Sequence, residues 1–417
     1  MIELLIVAVA IFGYAMVSKR VNMTPLTAPM IFVAVGLALG SSGLGWFNLD
    51  VRGATVEVLV EATLVLVLFT DAIRIDLGAL RMDIGIPTRL LAIGMPLTIV
   101  FGAVAAFWLF DALTWPAAAL LAAVLAPTDA ALGKAAVDDS RLPVRIRQSL
   151  NTESGLNDGI ALPVVTVLIG LVAVEAAESP VGLVEFIARQ LGFGLLGGVA
   201  AGYVGGRLLH VMSHKRWVGG AYRQLATLAV AAAAFAAAEL FDGNGFIAAF
   251  VAGLAFGRVA HDECEGVEDF TEDEGILLMG ITFVVFGAVI AGPLLAESTW
   301  TIWLYAALSL TLIRMIPVIV SMTGSHTYFE TRLFLGWFGP RGLASILFAL
   351  VVLKELGTAQ SELIAIASVA TVTASVYAHG LTASPWASRL GQKLASGPED
   401  MPEMMPMEEM PIRWRAF

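Results

Sequence analysis

The sequence predicts an all-α polytopic membrane protein with about thirteen transmembrane helices, and three observations predict it. Hydrophobic residues make up 58% of the 417 residues and charged residues only 14%, against roughly 25% charged in an ordinary soluble domain. The mean hydropathy is +0.83. Apolar runs long enough to cross about 30 Å of hydrocarbon fill nearly the whole chain, and every second connection between them is rich in Lys and Arg.

Taken in order, the first run, 3–17, follows Met1-Ile2-Glu3, which lacks the basic start of a cleavable signal peptide, so it reads as an anchor that stays. Runs at 26–40, 54–72 and 87–110 come next. The third carries Glu57 and Glu61 near its outer end and Asp71 near its inner end, each readable as an interfacial acid or as part of an ion path. The fifth, 116–137, is interrupted by Ala126-Pro127-Thr128-Asp129, and the sixth, 150–172, contains Glu153-Ser154-Gly155-Leu156-Asn157-Asp158-Gly159. The seventh, 183–209, repeats glycine at Gly194, Gly198, Gly202 and Gly206, a ridge for close helix packing either within one chain or between two copies. Runs at 222–241, 245–259, 275–296 and 301–322 follow, the last with Arg314 deep inside it. The acidic stretch 262–274 reads as a solvated loop and holds Cys264, the single cysteine, which has no internal disulfide partner. The twelfth run, 332–353, is interrupted by Phe338-Gly339-Pro340-Arg341-Gly342, and 361–384 completes the set. A transmembrane domain over 1–390 is therefore expected, followed by a short flexible cytoplasmic tail, 391–417, broken by Gly397-Pro398 and rich in Met, Pro and Glu.

Orientation follows from the basic residues. Lys19, Arg20, Arg141, Arg145, Arg147, Lys215 and Arg216 are among many that gather on one side, whereas the other has only Arg52, Arg189 and Lys354. Short cytoplasmic loops collect Lys and Arg, which places the N-terminus outside and the C-terminus in the cytoplasm of a multi-pass protein of the cell membrane. The net charge of −11 does not oppose this, because acidic residues contribute little to orientation.

The two interruptions place a proline and a charge inside apolar spans, at matching positions if spans one to six and eight to thirteen are two inverted six-helix repeats joined by the seventh. Paired broken helices at corresponding positions mark the binding site in inverted-repeat transporters. In the sixth span, residues four apart share a face, so Ser154 and Asp158 form one polar row and Glu153 and Asn157 another. A hydroxyl and a carboxylate suit a hard cation. Asp129 supplies a second carboxylate and the Thr128 backbone a carbonyl, while Glu153 requires a cationic partner, for which Arg314 is the best placed by depth.

With these residues assembled, the chain resembles the sodium/proton antiporters of the NhaP and sodium/hydrogen exchanger type, in the monovalent cation:proton antiporter superfamily. The resemblance is carried over the whole membrane domain by Ala126-Pro127-Thr128-Asp129, by the segment from Glu153 to Gly159, by Arg314 and by Gly339-Pro340-Arg341-Gly342. It implies the antiporter fold with crossed discontinuous helices, a role in pH homeostasis, and a homodimer. It also implies that Asp158 carries the exchanged ion or proton, that Asp129, Ser154 and the Thr128 backbone help hold the cation, and that Glu153 and Arg314 form a supporting ion pair with Asn157 nearby. With a short tail expected, regulation by a long cytoplasmic domain is not implied.

A carboxylate that holds either a proton or a cation makes the two compete, and competition combined with alternating access is exchange. With Asp129, Glu153 and Asp158 ionised against Arg314 and Arg341, one negative charge remains, which one Na+ or one H+ neutralises; the expectation is electroneutral one-for-one exchange of Na+, with Li+ and K+ as alternatives. An ion channel lined by the same acids and a cation sensor that moves nothing are the rival readings. No phosphate-binding glycine loop and no zinc spacing are present, so no enzyme activity, cofactor or nucleic-acid partner is expected. His210, His214, His261, His326 and His379 read as scattered in loops and at helix ends.

Overall fold

The computed structural model describes residues 2–21, 24–47, 53–73, 75, 85–129, 132, 134–137, 139–177, 182–260, 279–398 and 401–405. Helix stands in each of the thirteen apolar stretches, and no strand occurs among the described residues. The helices are α1 (Ile2–Val21), α2 (Ala28–Leu39), α3 (Ala54–Ile73), α4 (Gly85–Leu109), α5 (Trp115–Val124), α6 (Lys134–Val137), α7 (Val144–Ala177) and α8 (Leu183–His214). Then come α9 (Gly220–Glu239), α10 (Gly245–Val259), α11 (Met279–Ala296), α12 (Trp300–Ser321), α13 (Phe329–Trp337), α14 (Leu343–Leu356) and α15 (Ala359–Ala395). Among the described residues six of these, α4, α7, α8, α11, α12 and α15, are long and apolar enough to cross a membrane.

The chain divides into two compact units, one of residues 1–57, 83–154 and 275–417, the other of residues 58–82 and 155–274. In the first, the broken spans take shape from their prolines. The residue before a proline is turned away from helical geometry, so α5 stops ahead of Pro127, and the next described helix is α6. Around Pro340 the same logic separates α13 from α14, and Gly339 and Gly342 flank the turn. Ten of the first eleven residues of α14 are buried, Leu343 to Leu350 with Val352 and Leu353, Val351 being the exception, as expected of a helix apolar on every side. A single apolar cluster unites α4, α7, α13 and α15 through Leu90, Ile146, Phe334 and Leu390.

Two boundaries differ most from expectation. Helix α7 starts at Val144, six residues ahead of the apolar run, and α15 continues to Ala395 rather than 384. The expected tail boundary at 391 therefore falls inside α15, where Gly391 and Leu394 are buried. Beyond it, Glu403 is fully buried and accepts hydrogen bonds from Tyr328 N at 2.7 Å and Thr331 Oγ1 at 3.0 Å, while Arg145 Nη1 donates to Pro402 O at 2.6 Å. Residues 406–417 lie outside the described set, as do Cys264, His261 and the acidic stretch 262–274.

In the second unit the glycine ridge of α8 is filled from within the chain. A Cβ on Gly198 would lie 2.6 Å from Ala248 O, and one on Gly202 2.3 Å from Ala252 O, so α10 occupies the ridge. The ridge is thus occupied from inside one chain, against the lean towards a dimer contact that the family resemblance gives it. The opposite face of α8 exposes Leu196, Val199, Tyr203, Val204 and Leu208. Helix α10 is capped by Asn244, whose side chain accepts from Ile247 N at 3.0 Å and donates to Thr166 Oγ1 of α7 at 3.1 Å.

Candidate functional site

The two breaks of the first unit meet each other. Asp129 N donates to Pro340 O at 2.8 Å, Leu343 N donates to Asp129 Oδ2 at 3.2 Å, and Arg341 Nη1 donates to Ala126 O at 2.9 Å and Pro127 O at 3.3 Å. Breaking a helix frees backbone carbonyls and amides that hydrocarbon cannot satisfy, and each break here supplies partners to the other. Close contact depends on glycine at two positions. A Cβ on Gly342 would fall 2.2 Å from Asp129 Oδ2, and one on Gly339 2.5 Å from Arg314 Nε, so each glycine makes room for one charged group.

Thr128, Asp129, Glu153 and Ser154 are buried together in this unit. Ser154 Oγ donates to Thr128 O at 2.9 Å, which joins the first break to α7. Glu153 Oε1 stands 2.6 Å from Arg314 Nη2, both side chains 2% exposed. Arg314 lies just past a bend in α12 at Thr311, where φ is −114° and ψ −98°. Two fully desolvated charges are tolerable only because they compensate one another, and removal of either would strand its partner. Arg341, likewise buried, directs Nη1 at backbone carbonyls.

In the second unit, Asn157 and Asp158 are buried on α7 at 2% and 3% exposure. The residue after Asp158 is Gly159, and a Cβ there would lie 2.1 Å from the Phe250 ring, so absence of a side chain lets α10 press against α7 beside the aspartate. Asp71 is buried near the end of α3 and Glu61 half-buried, whereas the Glu57 side chain lies outside the described set. By helical geometry Asp158 falls one turn beyond Ser154 on the same face of α7.

Two further residues belong to this arrangement; sequence reasoning passed over Ser375 and misplaced His379. His379, expected at a helix end, lies in the middle of α15 and is fully buried, with Ser375 one turn before it. Arg341 N donates to Ser375 Oγ at 2.7 Å, and His379 Nε2 is 2.8 Å from Trp337 O. The available signal was their spacing of four within an apolar run, which puts two polar groups on one helix face.

Buried helix breaks that satisfy one another, lined by carboxylates, a hydroxyl and backbone carbonyls, define a polytopic helical membrane protein with the build of a secondary ion transporter. The family model described as sodium/hydrogen exchanger, transmembrane, matches residues 6–389. The chain belongs to that family. It is 25% identical over 338 residues to the K(+)/H(+) antiporter NhaP of Alkalimonas amylolytica, across 80% of this chain and 57% of that protein. It is 27% identical over 341 residues to the K(+)/H(+) antiporter NhaP2 of Shewanella sp. (strain ANA-3), with the same two shares. The chain thus spans little more than half the length of these curated relatives. The solved structure of the sodium proton antiporter MjNhaP1 from Methanocaldococcus jannaschii at pH 8 superposes with a TM-score of 0.75 at 20% identity, over 94% of this chain and 100% of that one, so the two share a fold.

Proposed function

We propose that this protein exchanges a monovalent cation for H+ across the cell membrane by alternating access, with Na+ the first choice and Li+ and K+ the alternatives. The observation that carries the reading is the first helix break, where the Thr128 carbonyl and the Asp129 carboxylate are buried beside Ser154, one helical turn ahead of the buried Asp158. Oxygen ligands of this kind suit a hard cation. Asp158 is the exchanging carboxylate, Asp129 its companion, and Ser154 and the Thr128 carbonyl further ligands; Glu153, Arg314, Asn157 and Arg341 support them. Family membership counts against a channel and against an enzyme. The relatives are named for K+ and for Na+, which keeps both cations in the test.

The charge balance of three carboxylates and two guanidinium groups favours one-for-one, electroneutral exchange. The unpartnered apolar face of α8 is open to membrane lipid or to a second copy, consistent with a homodimer that does not use the glycine ridge. The proposed orientation has the N-terminus outside and the C-terminus in the cytoplasm.

Proteoliposomes loaded with a pH dye provide the test. Wild type is expected to move protons when Na+, Li+ or K+ is added, and Asp158→Asn to abolish the movement. A wild type silent with every cation would remove the exchange reading, and a fully active Asp158→Asn would remove the assignment of the site.

A further inference from the structure

Between the last residue of α13 and the first of α14 the backbone has lost its helical partners, yet both ends of this gap are held by α15. At the entry, Trp337 O accepts from Gly339 N at 2.8 Å and lies 2.8 Å from His379 Nε2. At the exit, Arg341 N donates to Ser375 Oγ at 2.7 Å. His379 Nδ1 stands 3.0 Å from Ser375 Oγ and from Ser375 O, which closes the link between the two. Both carbonyls can only accept, and a neutral imidazole has one N–H. Assigning it to Nε2, at the shorter carbonyl contact, makes Trp337 O its acceptor, leaves Nδ1 to accept from the Ser375 hydroxyl and makes the approach to Ser375 O a contact without a hydrogen bond, while the hydroxyl keeps its lone pairs for Arg341 N–H. The indole of Trp337 adds a bond from Nε1 to Thr382 Oγ1 at 2.9 Å.

The segment held in this way carries everything the second break offers to the first: the Arg341 guanidinium on Ala126 O and Pro127 O, Pro340 O for Asp129 N, and Leu343 N for Asp129 Oδ2. We infer that His379 is a positioning residue for cation binding, which through Trp337 O and Ser375 fixes the second break and thereby the partners of Asp129. The inference rests on the exchange reading above. His379 touches no cation ligand itself; it acts on the geometry of Asp129 through one intervening segment.

Three replacements separate this role from simple packing. His379→Gln keeps a donor at about the reach of Nε2, His379→Asn is too short to keep it, and His379→Leu removes both polar functions. In purified protein reconstituted in liposomes, Leu and Asn are expected to raise the apparent KM for the cation roughly 10- to 100-fold, the scale seen when outer partners of metal ligands are lost, with a smaller change in maximal rate. Gln is expected to restore most of the affinity. Ser375→Ala should weaken affinity too, and adding it to His379→Leu should cost less than the two single effects combined, because both act through one segment. Unchanged affinity in His379→Leu, Gln no better than Asn, or fully additive effects of Leu and Ala would each overturn the inference. Should the Leu protein fail to fold, the comparison of Gln with Asn decides. Wild type runs alongside, so loss of exchange there indicts the functional reading and not His379.

Discussion

The two helix breaks are built largely from opposite materials. The first, at Ala126-Pro127-Thr128-Asp129, presents backbone acceptors, and its carbonyls take their donors from elsewhere: Arg341 for Ala126 and Pro127, Ser154 for Thr128. The second, at Phe338-Gly339-Pro340-Arg341-Gly342, brings most of the donors, Pro340 O accepting from Asp129 N being the exception, and is itself braced from behind by Ser375 and His379 of α15. One break is thus a scaffold and the other leans on it. The side of the site that leans is the side with Thr128 and Asp129, the groups proposed above to engage the cation, and a leaning region would suit a change of partners with the ion.

The sharpest way to break this comparison is to remove the charge beneath the scaffold. Arg314→Leu leaves Glu153 buried without its guanidinium and should destabilise the protein by about 3–5 kcal/mol, whereas adding Glu153→Leu to it should recover most of the loss. Thermal melting in detergent reads both, and a single variant as stable as wild type would show that the pair contributes nothing. Gly342→Ala should come next: the new methyl group meets the Asp129 carboxylate, an overpacking cost of roughly 1–3 kcal/mol accompanied by weaker cation affinity. If melting falls while affinity holds, Asp129 is not tied to function through this contact. The smallest effect belongs to Ser154→Ala, which removes the hydroxyl that donates to the Thr128 carbonyl at a cost of about 0.5–1.5 kcal/mol. Because that carbonyl belongs to the leaning break, the loss should appear in cation affinity more than in melting temperature; the reverse order would make the two breaks equivalent.

Hydropathy and proline placement made the spans and both breaks legible, because a proline and a charge inside an apolar run leave few alternatives. The start of α7 was not legible, since Arg145, Arg147 and Gln148 give its first turns the polarity of a loop although the helix continues through them. Arg389, Gln392 and Lys393 hid the end of α15 in the same way. Glu153 and Arg314 could be matched by elimination among buried charges, and the structure brings them together. His379, Ser375 and Glu403 could not be placed, for each is defined by which face of a helix meets which strand of irregular backbone, and that information lies in packing. The glycine ridge of α8 shows the same limit: a repeat of four prescribes a close neighbour without saying whose it is.

The bond between the breaks also has a history in time. Ala126 and Arg341 are 215 positions apart, whereas Thr128 and Ser154 are separated by 26. At roughly 5–20 residues per second of synthesis, Ser154 follows Thr128 within about 1–5 s, but Arg341 arrives only after roughly 10–40 s. For that interval the nascent chain holds a proline-broken segment whose upper carbonyls have no arginine to meet, in surroundings where unmet carbonyls are costly. The ribosome therefore makes the first break early and the finished chain completes it late, so a pause anywhere between the two would prolong the most vulnerable stage of the protein's insertion.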